Sequence, residues 1–234
     1  MKKFLLLLIT LISKNIYPVE LEHAFNLRTG VDINGTFGVR FLNEGKYELT
    51  LDKHWQLSPG FLLAPGWSFL SAYHLEAGYD KLFTEPLSIH VKFLNRSYHE
   101  ISVAENSIIS YLSWRDKYFE ADFGINERFT NFGPKNLDMV FYYPDDLIQP
   151  FIVFRIAGYL VFENPAIRVG FEIKNNDWNY AANSFELSLG IDGAYQMTEA
   201  LSLKLNLGTT PSGISGLSIF YNRYTFLVGA QYKL

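Results

Sequence analysis

Leu201-Ser202-Leu203-Lys204-Leu205-Asn206-Leu207-Gly208 puts leucine at every odd position and a polar or small residue at every even one. A period of two belongs to an extended strand whose faces meet different surroundings. Residues 166–174 repeat the pattern, with Ile167, Val169, Phe171 and Ile173 set against Arg168, Gly170, Glu172 and Lys174. Residues 185–192 do so again, with Phe185, Leu187, Leu189 and Ile191 against Glu186, Ser188, Gly190 and Asp192. Working outward, comparable runs occupy 46–57, 67–79, 86–93, 107–115 and 118–126, while 150–162 is apolar on both faces apart from Arg155. No 3.6-residue period of useful length interrupts them, so the chain reads as all-β.

Composition narrows what such a chain can be. Its 234 residues are 48% hydrophobic and 17% aromatic, with 20 Phe and 15 Tyr. Mean hydropathy is nevertheless only +0.02, because polar residues are threaded among the apolar ones. Disorder needs few aromatics, and helical membrane spans need unbroken apolar blocks of about 18 residues or more. Both are excluded. A formal charge of -4 leaves no basic face for a phosphate backbone, so nucleic acid is not an expected partner. With Cys 0, disulfides and thiolate chemistry are absent.

Lys2 and Lys3 followed by the apolar run Phe4 to Ile12 have the layout of a secretory signal peptide. The reading assigns residues 1–18 to that peptide, with cleavage between 13 and 20, and residues 19–234 to a single domain. Connections between the runs alternate between short (81–85, 115–117, 163–165, 197–200) and long (95–106, 128–149, 175–183), the habit of barrels with tight turns at one end and extended loops at the other. Strands at 22–33 and 36–42 around Asn34-Gly35 bring the count to twelve. The odd-numbered apolar phase runs unbroken from Phe25 to Phe41 and changes between Tyr221 and Tyr224, so counts of eight or ten stay open.

Alternation alone does not say which face is wet. Aromatics near run ends (Tyr47, Trp55, Trp67, Tyr79, Phe162, Tyr195, Tyr221, Tyr232) match an interfacial girdle. The opposite faces carry charges that a dry core would reject. An exported all-strand chain entering a bilayer must close on itself. The expected fold is therefore a closed antiparallel transmembrane β-barrel with its apolar face outward.

The last eleven residues, Tyr224-Thr-Phe-Leu-Val-Gly-Ala-Gln-Tyr-Lys-Leu234, resemble the C-terminal recognition strand of bacterial outer-membrane barrel proteins. Tyr224, Phe226, Val228, Ala230 and Tyr232 follow that pattern, and Leu234 stands where the usual final residue is Phe. The resemblance implies residence in a bacterial outer membrane, contact with its bilayer and lipopolysaccharide-type lipids, and insertion by the outer-membrane assembly machinery.

Alternation then assigns Glu48, Asp52, His54, His74, Glu76, His90, Lys92, Arg115, Glu120, Asp122, Arg155, Arg168, Glu172, Lys174, Glu186, Asp192 and Lys204 to the lumen. Both signs are present, which predicts a passive small-solute channel of low charge selectivity. The same charges paired across a closed interior would make a non-conducting scaffold or adhesin. The loop 128–149, with Phe129, Phe132, Phe141, Tyr142 and Tyr143, could grip a partner or narrow the pore. His54, His74 and His90 share one facing beside Asp52, Glu76 and Ser88, so a lipid-modifying enzyme is a third reading. Ser88-Ile-His90, however, matches no recognised nucleophile motif. No catalytic residue, metal or cofactor is assigned, and the oligomeric state is left open.

Overall fold

A computed structural model describes residues 20–34, 38–65, 69–99, 103–132, 148–163, 166–175, 187–211 and 222–234. The signal-peptide reading of 1–18 falls outside them. Twelve strands follow in chain order: β1 (Leu21–Asn34), β2 (Gly38–Leu51), β3 (Trp55–Ala64), β4 (Leu70–Tyr79), β5 (Leu87–Tyr98), β6 (Val103–Arg115), β7 (Phe119–Phe132), β8 (Ile148–Glu163), β9 (Ala166–Lys174), β10 (Ser188–Gln196), β11 (Leu201–Pro211) and β12 (Asn222–Lys233). Each pairs antiparallel with its chain neighbours, and β1 also pairs with β12, from Ala24↔Lys233 to Asn34↔Arg223, closing the barrel.

The facing is the one expected from the charges. Leu203 is 44% exposed on the outside, whereas Glu172 keeps 3% of its surface on the inside. Phe25, Phe41, Phe61, Leu75, Phe123, Ile156, Phe171, Ile191, Leu205 and Val228 likewise point outward. Monomeric soluble proteins do not expose a continuous apolar band of this extent. At the end with short turns, Trp55, Tyr79, Trp114, Tyr118, Phe162, Tyr195 and Tyr232 ring the exterior. Trp55 and Tyr79 meet edge to face at 4.9 Å.

Twelve strands match the expected number, but several boundaries differ. The run 46–57 is not one strand: β2 ends at Leu51, and β3 begins at Trp55. The turn between them sets Asp52 and Lys53 at φ 52° and 60°, without any glycine to announce it. Leu51 pairs with Trp55 and Leu49 with Leu57, odd with odd, so the alternation runs straight through the turn. The first hairpin does the same, because Asn34 pairs with Gly38 across three residues and preserves the Phe25-to-Phe41 phase. The segment predicted at 36–42 is thus the start of a long β2. Pro59-Gly60, which reads as a breaker, lies inside β3, where Pro59 points outward and the β2–β3 pairing passes from Lys46↔Gly60 to Leu49↔Leu57.

Strands also run further into the expected loops. β5 and β6 leave only 99–102 between them, and β7 reaches Phe132. Register makes that extension useful: it carries Arg96, Glu105 and Arg128 to one inner level, where Glu105 lies 3.5 Å from Arg96 and 3.7 Å from Arg128. At the opposite end the Arg115–Phe119 turn is held by Asp116, whose Oδ1 accepts the backbone N–H groups of Tyr118 and Phe119, both at 2.8 Å. Those bonds, with one from the Trp114 indole, hold its carboxyl below the usual range.

Part of the interior is dry. Leu42, Leu62, Leu70, Leu94 and Ile109 face inward with no more than 1% exposure and form a cluster with Val153 and Leu227. Alternation predicts a polar inner face, and here β2 to β6 depart from it.

Candidate functional site

Beside the dry cluster lies a cavity of about 420 Å³, lined by charged side chains from most of the wall. Its most tightly bonded part sits on β7, β8 and β9. Arg155 donates from Nε to Glu172 at 2.9 Å, from Nη1 to Glu120 at 2.6 Å and from Nη2 to the Tyr159 hydroxyl at 2.8 Å. Arg168 donates to the other Glu120 oxygen at 2.6 Å, and its guanidinium lies 3.4 Å over the Tyr159 ring. Lys174 donates to Glu172 at 2.7 Å. Gly170 makes this packing possible, because a Cβ there would collide with the Tyr159 ring. A planar guanidinium with donors fixed in a fork suits such bridging, and the network holds three neighbouring strands at one height.

The facing wall, from β12 to β2, brings Arg28 and Glu44 together at 2.6 Å and Lys46 and Glu48 at 2.9 Å. Between the two walls, Asn206 on β11 donates to Asp192 at 3.0 Å and reaches Glu172 at 3.5 Å. Lys204 faces the same space.

Of the residues that alternation assigns to the lumen, Glu48, His74, Lys92, Arg115, Glu120, Asp122, Arg155, Arg168, Glu172, Lys174, Asp192 and Lys204 line this cavity. Glu76 and His90 face inward but lie behind the lining: the His90 ring stacks on Tyr111 at 4.9 Å, and Tyr111 is the ring that borders the cavity. Asp52 and His54 sit in the β2–β3 turn, displaced from the inner wall by the turn that alternation concealed. Glu186 lies outside the described residues, as do Phe141, Tyr142 and Tyr143. Phe129 belongs to β7 with a half-buried side chain, and Phe132 is the last residue of that strand. In β12, Tyr224, Phe226, Val228 and Tyr232 turn outward as the C-terminal pattern requires, and Leu234 follows the strand.

Sequence reasoning missed Arg28, Glu44 and Lys46, which occupy even positions in the inward phase but where the odd face lapses to Thr29, Asn43 and Gly45. Extending the parity rule through β1 and β2 finds them. It also missed Tyr111 and Tyr159, because an aromatic residue on an inner face carries no mark to distinguish it from a lipid-facing one.

A polar chain crosses behind Tyr111. Ser88 Oγ lies 2.9 Å from His90 Nε2, and His90 Nδ1 lies 3.3 Å from Glu76 Oε1. Glu76 also accepts the Tyr111 hydroxyl at 2.5 Å. All three residues of the Ser88–His90–Glu76 series are buried and face the lumen, not the bilayer. Gly78 leaves room for the imidazole, which a Cβ at that position would strike.

No protein-family model and no curated protein matches the sequence. Solved structures do. The KdgM porin in complex with disordered oligogalacturonate aligns over 88% of this chain and 98% of its own, at 12% identity and a TM-score of 0.56. The NanC porin aligns over 90% and 100%, at 15% identity and 0.55. Outer membrane phospholipase A from Escherichia coli aligns over 92% and 98%, at 10% identity and 0.50. At such identities the likeness is one of fold, and with the closed strand order and the apolar exterior it gives this chain the outer-membrane β-barrel fold that these proteins share.

Proposed function

We propose that the protein is a passive outer-membrane channel for small hydrophilic solutes, with the charged cavity as its path. The observation that carries this reading is the cavity itself: a volume of about 420 Å³ inside a closed barrel, lined by both signs of charge. Eight Lys or Arg side chains and six carboxylates share the lining, so a solute meets hydrogen-bonding partners of either sign in a field with only a modest positive excess. The expected consequence is weak ion selectivity. Hydrocarbon and lipopolysaccharide-type lipids surround the apolar exterior, and the assembly machinery reads the strand that ends in Tyr232 and Leu234.

Planar-bilayer recording tests the reading. Stepwise current increments with a reversal potential near zero in a salt gradient are the expected result. A barrel that inserts, as judged by heat-dependent gel mobility, yet leaves the membrane silent is the scaffold instead.

A second reading, hydrolysis, is favoured by the Ser88–His90–Glu76 spacing, since a serine hydroxyl, an imidazole and a carboxylate in series can form an activated nucleophile. Its inward facing puts bilayer lipid out of reach, so the substrate would be an ester that enters the lumen and displaces the Tyr111 ring screening His90. A fluorophosphonate probe decides this: labelling at Ser88 that disappears in Ser88→Ala and His90→Gln is the expected signature. An unlabelled native barrel removes the enzyme reading.

A further inference from the structure

Nearly every charged side chain on the cavity wall has an opposite charge within salt-bridge distance. Asp192 and Lys204 do not. Among the described residues, Asp192 receives one neutral hydrogen bond, from Asn206 at 3.0 Å, and no cation approaches it closely. Among the same residues Lys204 makes neither an ion pair nor a hydrogen bond, although Glu48, Arg28, Asp192 and Lys46 all act on it electrostatically. Leaving a carboxylate and an ammonium part-buried without counter-ions is costly, and a protein interior normally avoids it.

Their placement is specific. Asp192 pairs across the ladder with Asn206, and Ala194 with Lys204, so Asp192 and Lys204 stand diagonally on adjacent strands with both side chains inward. Diagonal neighbours of this kind lie about 7–8 Å apart at the backbone, a span that a lysine side chain can bridge, yet among the described residues no ion pair joins these two, and one small solute can touch both. Asn206 fills the position between them and directs its amide at Asp192 and Glu172, which leaves the ammonium of Lys204 uncommitted.

We infer that Asp192 and Lys204 form a binding site for the charged head of a small zwitterion, an α-amino acid or short peptide, within the channel. The ammonium of the solute donates to Asp192, and its carboxylate accepts from Lys204, where Arg28 and Lys46 support the positive charge and Glu48 opposes it. A simple anion would satisfy Lys204 but bring like charge toward Asp192, and a simple cation would do the reverse. A zwitterion supplies both missing partners and adds no net charge to the lumen. The inference rests on the channel reading and names the class of solute that such a channel favours.

Proteoliposome swelling with L-glutamine and L-arabinose, solutes of similar size, tests it in the full-length barrel. The native protein is expected to admit glutamine several-fold faster than arabinose, and the double variant Asp192→Asn/Lys204→Gln to bring that ratio to one. The charge exchange Asp192→Lys/Lys204→Asp, which retains both charges in reversed order, is expected to restore the preference. Equal rates in the native barrel, or a preference that survives the double variant, overturn the inference while leaving the channel intact. Vesicles sealed to both solutes fail the channel reading. In that event glutamine binding to the detergent-solubilised barrel decides the site: binding that the double variant loses supports it, and no binding overturns it.

Discussion

Asp32→Ala is expected to lower barrel stability by about 3–5 kcal/mol, the range for removing one partner of a buried ion pair. The Asp32 side chain has no accessible surface, and its two oxygens accept three hydrogen bonds. Arg40 on β2 donates at 2.8 Å, and Arg223 on β12 donates from Nε and Nη2, each at 2.6 Å. The bonds clasp the seam where the last strand meets the first, between residues 191 apart in sequence. Deleting the carboxylate leaves two guanidinium groups confined together at the point of closure. The temperature at which the compact, fast-migrating form is lost on an unboiled gel measures the effect, and Asp32→Asn is expected to fall between Ala and native. The exposed pair Lys117–Glu163, at 2.6 Å, is the control, and its removal is expected to change that temperature little. A native-like transition in Asp32→Ala would mean that the seam does not depend on this charge.

Phe171→Arg is expected to cost about 2–4 kcal/mol, because it places a guanidinium on the lipid face near mid-height, where the bilayer offers no water. Phe171 is 56% exposed in the middle of β9, directly beside the inward Glu172. Phe171→Leu keeps that surface apolar and is expected to fold and insert normally. The comparison tests the sign of the whole barrel, since an arginine one residue along would enter the wet side. Urea titration in lipid vesicles reads the difference, and equal midpoints for the arginine and leucine variants would contradict a hydrocarbon-facing exterior.

The extended parts of the fold were legible to different depths. β9 and β11 could be read almost residue by residue, because one face meets hydrocarbon and the other meets water, and parity records that contrast directly, whereas β10, read over 185–192, runs from Ser188 to Gln196. The β2–β3 turn could not, because an odd-with-odd hairpin conserves parity and Asp52 and Lys53 adopt positive φ without glycine. Arg96 and Arg128 were hidden for another reason: polar strand ends standing above the apolar band have the composition of loops.

The candidate site divides in the same way. Arg155, Glu172, Asp192 and Lys204 were all assigned to the lumen by their position within a run. Which of them are satisfied and which are spare was beyond reach, because a charge finds its partner through register with strands remote in sequence. Arg155 meets Glu120 from 35 residues away, while Lys204 finds no counter-ion on its neighbours. His90 shows the same division, being inward by parity but screened from the cavity by Tyr111, a ring that parity counts like any other.

The one-dimensional order of apolar and polar residues therefore determined the strand class, the closed barrel and the side that most residues within the strands take, since burial against two different solvents acts on every second residue independently. The tertiary structure decided which inner charges cancel, which half of the interior is dry and where a solute finds unmatched groups. Those outcomes depend on the stagger between strands and on side chains meeting across the lumen, distances that no local pattern contains.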